Sequence, residues 1–206
     1  MTETPAETEQ TLLQIIEALA EAAPDAGFSL REIFDRLDEA AFGTVLFLLA
    51  LPCCIPALYV IPQIVAVPMM ALAVQMCFGR EEPWLPEALA VRKIDKAGLT
   101  QMAHGGRKWL GWIEQLSRPR VTVITGKRSE RVVGAFLVVF CASILVPLPL
   151  TNTVPGFGVA IASFGLMQKD GLAVIAGLII GTVWIGALVF AALTGATFLA
   201  GAALGS

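Results

Sequence analysis

Few side chains in this sequence could do chemistry, and most of those stand at the edges of apolar segments. His104 is the sole histidine, set in MAHGGRK beside bases and glycines; such a residue reads as exposed and polar rather than as a general base. Cys53, Cys54, Cys77 and Cys141 all lie inside apolar runs. Metal ligation calls for Cys or His at spacings such as C-x2-C, and adjacent cysteines seldom reach one ion. The cysteines therefore read as small apolar fillers, and neither a metal nor a cofactor is expected. Glycosyl transfer or hydrolysis needs carboxylates flanking the reacting bond, or a metal held by them. Glu81, Glu82 and Glu87 follow the first apolar run and read as a solvated helix end, and Asp170 with Lys169 marks a later boundary. Proton-coupled transport would need an intramembrane relay of Asp, Glu or His. The inventory predicts a protein that is not an enzyme.

What remains is an uncharged polar set around prolines. Thr151, Asn152 and Thr153 lie between Pro149 and Pro155, while Pro56 and Pro62 frame an earlier stretch. Gln63, Gln75, Gln168, Ser143, Ser163 and Tyr59 complete the set. An amide exposed to lipid costs a few kcal/mol unless paired, so these groups must face protein, water or ligand. The bland alternative is helix–helix hydrogen bonding, worth about 1 kcal/mol apiece, and it is the preferred reading for Gln75 and Gln168. Asn152, at a loop apex, is the foremost binding candidate. The full substrate-binding set is Thr151, Asn152, Thr153, Pro149, Pro155, Pro56, Pro62, Gln75 and Gln168.

The elements that position these residues follow from where charge is missing. The chain has 206 residues, 56% hydrophobic and 15% charged, with a mean hydropathy of +0.76. Residues 40–79, 132–168 and 171–206 carry no Asp, Glu, Lys, Arg or His. A bilayer-spanning helix needs roughly 20 apolar residues, so each run has room for a crossing. The first, ~60 Å long if wholly helical, must fold back or break. Pro52, Pro56 and Pro62 in LPCCIPALYVIP predict the place, because proline removes a donor and clashes with the preceding turn. VPLPLTNTVPGFG, residues 146–158, predicts the same event in the second run. Irregular backbone survives at membrane depth only where protein or water covers it, so both runs are expected to form broken or re-entrant hairpins. The last run is dotted with glycine, and Gly177-x-x-x-Gly181 permits close helix approach; it supplies one span, with room for a short second.

Around these runs the sequence predicts five regions: an acidic tail with amphipathic helices over 1–39, hairpins over 40–79 and 132–168, a connector over 80–131, and a transmembrane region over 171–206. The first 39 residues hold ten acids and two bases, the opposite of a secretory leader, so none is expected. Thr11-x-x-Gln14 and Ser29-x-x-Glu32 fit capping boxes. Leu12, Ile15, Ile16 and Leu19 recur at helical spacing after the first, and Leu30, Ile33, Phe34 and Leu37 after the second. The acidic faces of these helices favour packing on protein over adhesion to anionic lipid. The connector holds eleven of the fourteen Lys and Arg, which places it in the cytoplasm by the positive-inside rule. That location already explains its basic residues, and nucleic acid is not an expected partner. Trp109, Trp112, Ile113 and Leu116 in it form an interfacial stripe.

A shift of 93 residues lays Pro56 on Pro149, Pro62 on Pro155 and Gln75 on Gln168. The Pro-x5-Pro-x12-Gln pattern predicts an internal repeat, and repeated broken helices point to transporter substrate sites. A duplicated but purely structural hairpin accounts for the same pattern.

LALPCCIPALYVIPQIVAVPMMALAVQMCFGREEPWLP (49–86) resembles the ExoD family, bacterial inner-membrane proteins linked to exopolysaccharide synthesis. ILVPLPLTNTVPGFGVAIASFGLMQKDGL (144–172) and SLREIFDRLDEAAFG (29–43) are similar to the same family, so the likeness covers residues 11–190. The vicinal Cys53 and Cys54 depart from it, an amide or small residue being expected there. The resemblance implies an inner-membrane protein associated with polysaccharide production and does not itself imply a catalytic step; the three charge-free runs make it multi-pass. Two functions fit. One is a membrane protein that binds or permeates a small or lipid-linked substrate at the paired Pro-loops. The other is an assembly or regulatory scaffold of the polysaccharide machinery, acting through its cytoplasmic amphipathic helices. Two incomplete hairpins and a glycine-rich helix predict a homo-oligomer, most simply a dimer, in contact with membrane lipid and with exopolysaccharide biosynthesis proteins.

Overall fold

The computed structural model describes residues 17–18, 21–24, 27–37, 40–56, 60–80, 82–84, 86–91, 93–98, 100, 104, 126–146 and 151–204. The first capping box, the stripe at Trp109 and Trp112, Tyr59 and Pro149 lie outside them. The chain is mostly helical. Strand β1 (Phe28–Ser29) leads into helix α1 (Leu30–Leu37), followed by α2 (Ala41–Ala50), which tightens into a 3-10 turn over Leu51–Cys54. Next come α3 (Ile61–Cys77), the single turn α4 (Glu87–Ala90) and strand β2 (Lys93–Ile94). Helices α5 (Lys127–Leu145), α6 (Thr153–Met167) and α7 (Gly171–Leu204) complete the order.

The prolines break the helices in smaller pieces than the sequence suggests. Pro52 sits in the first turn of the 3-10 segment and Pro62 in the first turn of α3. A proline is pre-organised for a first turn, where its missing N–H would have no partner anyway. Among the described residues the break between α2 and α3 therefore falls on Ile55 and Pro56. Pro155 likewise lies within α6, so the second break narrows to the residues between Leu145 and Thr153. Pro68 stands in the interior of α3 on an exposed face. The last apolar run is one helix of 34 residues, with no second short span.

One all-helical expectation needs amending, since β1 and β2 form a two-residue antiparallel ladder with Phe28 opposite Ile94 and Ser29 opposite Lys93. Gly27, at φ +72°, makes it possible, because a Cβ there would overlap the Ile94 carbonyl. The second capping box forms as the spacing predicts. Ser29 N–H and Oγ both donate to Glu32 Oε2 at 2.7 Å, and Glu32 N–H donates back to Ser29 Oγ at 3.3 Å. Those bonds hold the Glu32 carboxyl below the usual carboxylate range. Ile33 and Leu37 of α1 bury against Phe28, Ala41, Phe164 and Met167, so the apolar face of this helix packs on its own chain.

The main core is shared by α2, α3, α5, α6 and α7, with Leu46, Met69, Leu137, Phe140, Ile144, Val159 and Val174 fully buried. Glycine sets the closest approaches. A Cβ on Gly43, in the first turn of α2, would stand 2.7 Å from the backbone nitrogen of Met167 and 2.9 Å from the Ser163 carbonyl, at the end of α6. Gly134 in α5 meets the last turn of α3 in the same manner, with Ala73 O and Cys77 N both 2.9 Å from such an atom. Helices α6 and α7 run back to back: Gly165 faces Val174 near their junction, and Gly158 faces Gly177 and Gly181 further along. Gly177-x-x-x-Gly181 thus serves an internal seam, as the small-residue rule for close packing requires.

Helices α3 and α6 end alike. Gly79, at φ +73°, donates to Met76 O, and Arg80 N–H reaches Gln75 O at 3.1 Å. At the end of α6 the left-handed position is taken by Lys169, at φ 51°, and Asp170 N–H reaches Gly165 O at 2.8 Å. Both are Schellman closures.

Candidate functional site

The two proline-bearing turns meet. Helix α2 lies antiparallel to α6, with Gly43 beside Met167 at one end. At the other end Cys53, fully buried in the 3-10 turn, presses against the start of α6. A Cβ on Gly156 would be 2.7 Å from Cys53 Cβ and 2.9 Å from its carbonyl oxygen, so only glycine lets the turns touch. Helix α7 reaches the same place, where Trp184 Nε1 donates to the Thr151 carbonyl at 3.2 Å. This end of the bundle is the tip. The opposite end, the base, carries the helix closures at Gly79 and Lys169.

At the tip Asn152 occupies the N-cap of α6, yet its side chain does not cap the helix. It is 6% exposed, and its Oδ1 is buried without a hydrogen-bond partner. Thr151 and Thr153 flank it, both half-buried, and Pro155 is fully buried one turn on. Pro62 is buried at the start of α3, followed by Gln63, whose Oε1 is also buried and unpartnered. Pro56 is exposed at the bend of the first turn. A helix N-terminus carries about half a positive charge in unsatisfied N–H groups. An open amide beside such an end can donate from its NH2 to a neutral or anionic oxygen and accept, at its own oxygen, from a hydroxyl or an N–H. Among the described residues of the tip, 51–56, 60–62, 146 and 151–156, none carries a carboxyl, an imidazole or an amine.

Two sequence candidates stand elsewhere. Gln75 is in the last turn of α3, where Trp84 N–H donates to its Oε1 at 2.6 Å and its Nε2 donates to Trp84 O at 3.4 Å. It clasps the chain leaving α3 and holds the 59% exposed Trp84 at the base. Gln168 caps the far end of α6 and has its own partner, ~22 Å along the helix from Thr153. By their helix closures, Gln75 stands where α6 has Gly165, and Gln168 where α3 has Phe78. The 93-residue register therefore does not carry to the helix ends, since the equivalent closures at Gly79 and Lys169 are 90 positions apart.

Sequence reasoning missed three participants at the tip: Cys53, Gly156 and Trp184. Gly156 directly after Pro155 was the available signal, since a glycine in the first turn of an apolar helix marks close backbone approach. Trp184 gave none, being one aromatic residue in a long apolar helix. Asp170 is a helix cap, its Oδ1 accepting from Leu172 N–H at 3.0 Å and Ala173 N–H at 3.3 Å. Among the described residues no cluster of His, Cys, Asp or Glu could hold a metal ion.

The family model described as "Exopolysaccharide synthesis, ExoD" matches residues 12–190, a stretch that includes both turns and most of α7. The chain belongs to the ExoD family. It is 30% identical over 176 residues to Protein ExoD of Rhizobium meliloti (strain 1021), covering 80% of this chain and 71% of that protein. It is 31% identical over 155 residues to an uncharacterized protein of Synechocystis sp., covering 73% and 72% of the two chains. No solved structure matches. Membership associates the chain with exopolysaccharide synthesis. Among the described helices one, Gly171–Thr197, is long and apolar enough to cross a bilayer by itself. A second would count only if the bent pair Leu30–Leu37 and Ala41–Cys54 formed one span.

Proposed function

We propose that this ExoD-family chain is a non-enzymatic inner-membrane component of exopolysaccharide synthesis that binds or permeates a small or lipid-linked substrate where its two turns meet. The observation that carries the site is Asn152, buried at the junction with an amide oxygen that has no protein partner. A buried, unsatisfied amide costs about 1–3 kcal/mol, and a ligand that donates to it would recover that loss. The membrane setting rests on the missing charge and on what the fold turns outward. Ile64 and Val67 on α3, Val132 and Val139 on α5, and Ile179 and Val183 on α7 are all more than half exposed. In water such a surface would drive aggregation, and in lipid it is at home. Helices α2 and α3 with their turn, and α5 and α6 with theirs, are two re-entrant hairpins of a repeated unit, supported by the like closures and the two like glycine contacts. The basic connector 80–131 faces the cytoplasm.

Replacing Asn152 with Ala, or Thr151 with Val, abolishes exopolysaccharide output from cells that depend on this chain while its membrane level stays normal. Normal output from both variants would remove the turn junction as the site. The scaffold reading keeps less support, because α1 spends its apolar face on its own chain. It would rest on the connector, and variants at Trp109 and Trp112 that break partner co-purification would favour it.

A further inference from the structure

The length of α7 against the hairpins fixes how deep the turns lie, given the membrane setting proposed above. Trp184 is hydrogen-bonded to Thr151 at the tip, and α7 begins at Gly171 at the base. Thirteen residues of helix separate them, a rise of ~20 Å against a hydrocarbon thickness of ~30 Å. The base has the features of a bilayer interface. Arg131 lies against Gly79, Trp84 is held outward by Gln75, and Lys169 and Asp170 sit between α6 and α7. Among the described residues the tip carries no charge, and its one tryptophan, Trp184, is turned to the Thr151 carbonyl. The large side chains around it, Leu51, Ile55, Val60, Ile61 and Val146, are exposed and apolar. Helix α7 then continues for 20 residues beyond Trp184 with no charge, and both Gly186 and Gly195 have open space around them.

We propose that both hairpins enter the bilayer from the connector face and end inside it, that α7 alone crosses, and that the turn junction is reached from the opposite face. Several meetings with the bilayer reduce to one complete crossing and two re-entries. The connector and the C-terminus then lie on opposite sides. The junction sits ~20 Å from the face of entry and about 10 Å from the other. Non-helical backbone at that depth needs protein or water around it. The protein covers its connector side, with Cys53, Gly156 and the core behind it. Water, and any ligand for Asn152, therefore approaches through the thinner, far side.

The test uses the full chain with Cys54→Ala, in sealed vesicles of both orientations, with a charged, membrane-impermeant thiosulfonate as the probe. Cys53 and Cys141 are buried, and the exposed Cys77 at the base reports the connector face. Gly126→Cys is expected to react with Cys77 from the connector face. Ser206→Cys and Thr151→Cys are expected to react at least tenfold faster from the opposite face. Reaction of positions 126 and 206 from one face would overturn the single crossing. Reaction of position 151 from the connector face, or from neither, would overturn the far-side approach. Release of the chain by alkaline wash would instead defeat the membrane setting on which this rests.

Discussion

At the scale of single residues, Asp170, Ser29 and Glu32 close helix ends, while the Asn152 oxygen stands open at the tip. Asp170 does the first, supplying a side-chain oxygen to the N–H groups of Leu172 and Ala173 that begin α7. Replacing it with Ala removes that cap and should lower stability by about 1 kcal/mol, measured by thermal unfolding in detergent, whereas Asp170→Asn keeps most of it. Ser29 and Glu32 do the same for α1. The folded Glu32 carboxyl is held below its usual value chiefly by the Ser29 backbone bond. Its contribution is therefore complete above the unfolded carboxylate range and disappears as pH falls through the folded value. Amide exchange in residues 29–33 should quicken on acidification relative to the core helices once intrinsic rates are corrected. In the Ser29→Ala chain that pH dependence should flatten. Asn152 differs from both, since its oxygen meets no donor in the protein.

At the scale of elements, pairs of helices touch backbone to backbone through glycine, so the tolerance of a glycine depends on what faces it. Gly177→Val would drive two methyl groups into Ala162 and the carbonyl of Gly158, prying α6 from α7. Overpacking of this kind typically costs 1–3 kcal/mol. Gly195→Val, on the open part of α7, has nothing within 4 Å to meet and should leave the unfolding midpoint unchanged or slightly raised. Equal losses at the two positions would argue that the distal part of α7 is packed against something the chain does not supply. The prolines obey the same local logic. Pro52 and Pro62 begin helical turns rather than interrupting them, and among the described residues the break falls on Ile55 and Pro56.

At the scale of the whole molecule, one chain leaves much apolar surface uncovered. Leu193, Phe190 and Val189 on the distal α7 are more than half exposed, as are Ile55 and Val60 near the first turn. Lipid covers much of this surface in the proposed setting, but irregular backbone needs a better shield than acyl chains. A two-fold homodimer would provide it, and crosslinking in native membranes should yield a dimer as the main product. Monomer alone would refute this.

How far the sequence reached follows from the range of each interaction. Charge-free runs, helical spacing and the Ser29-x-x-Glu32 box are local, each set by neighbours within a turn or two. They determined the helical class, the apolar segments, α1 with its cap and the two places where the chain must turn. The motifs around Pro52 to Pro86 and Pro147 to Gly171 determined the family. The short β ladder, the contact of Cys53 with Gly156 and the bond from Trp184 to Thr151 join residues far apart in sequence. No spacing rule encodes such pairs. The sequence grouped Gln75 and Gln168 with Asn152 because they are alike in chemistry and evenly spaced. Tertiary packing separated them, since a helix carries its ends ~22 Å apart and brings to one place only what its neighbours' backbones allow.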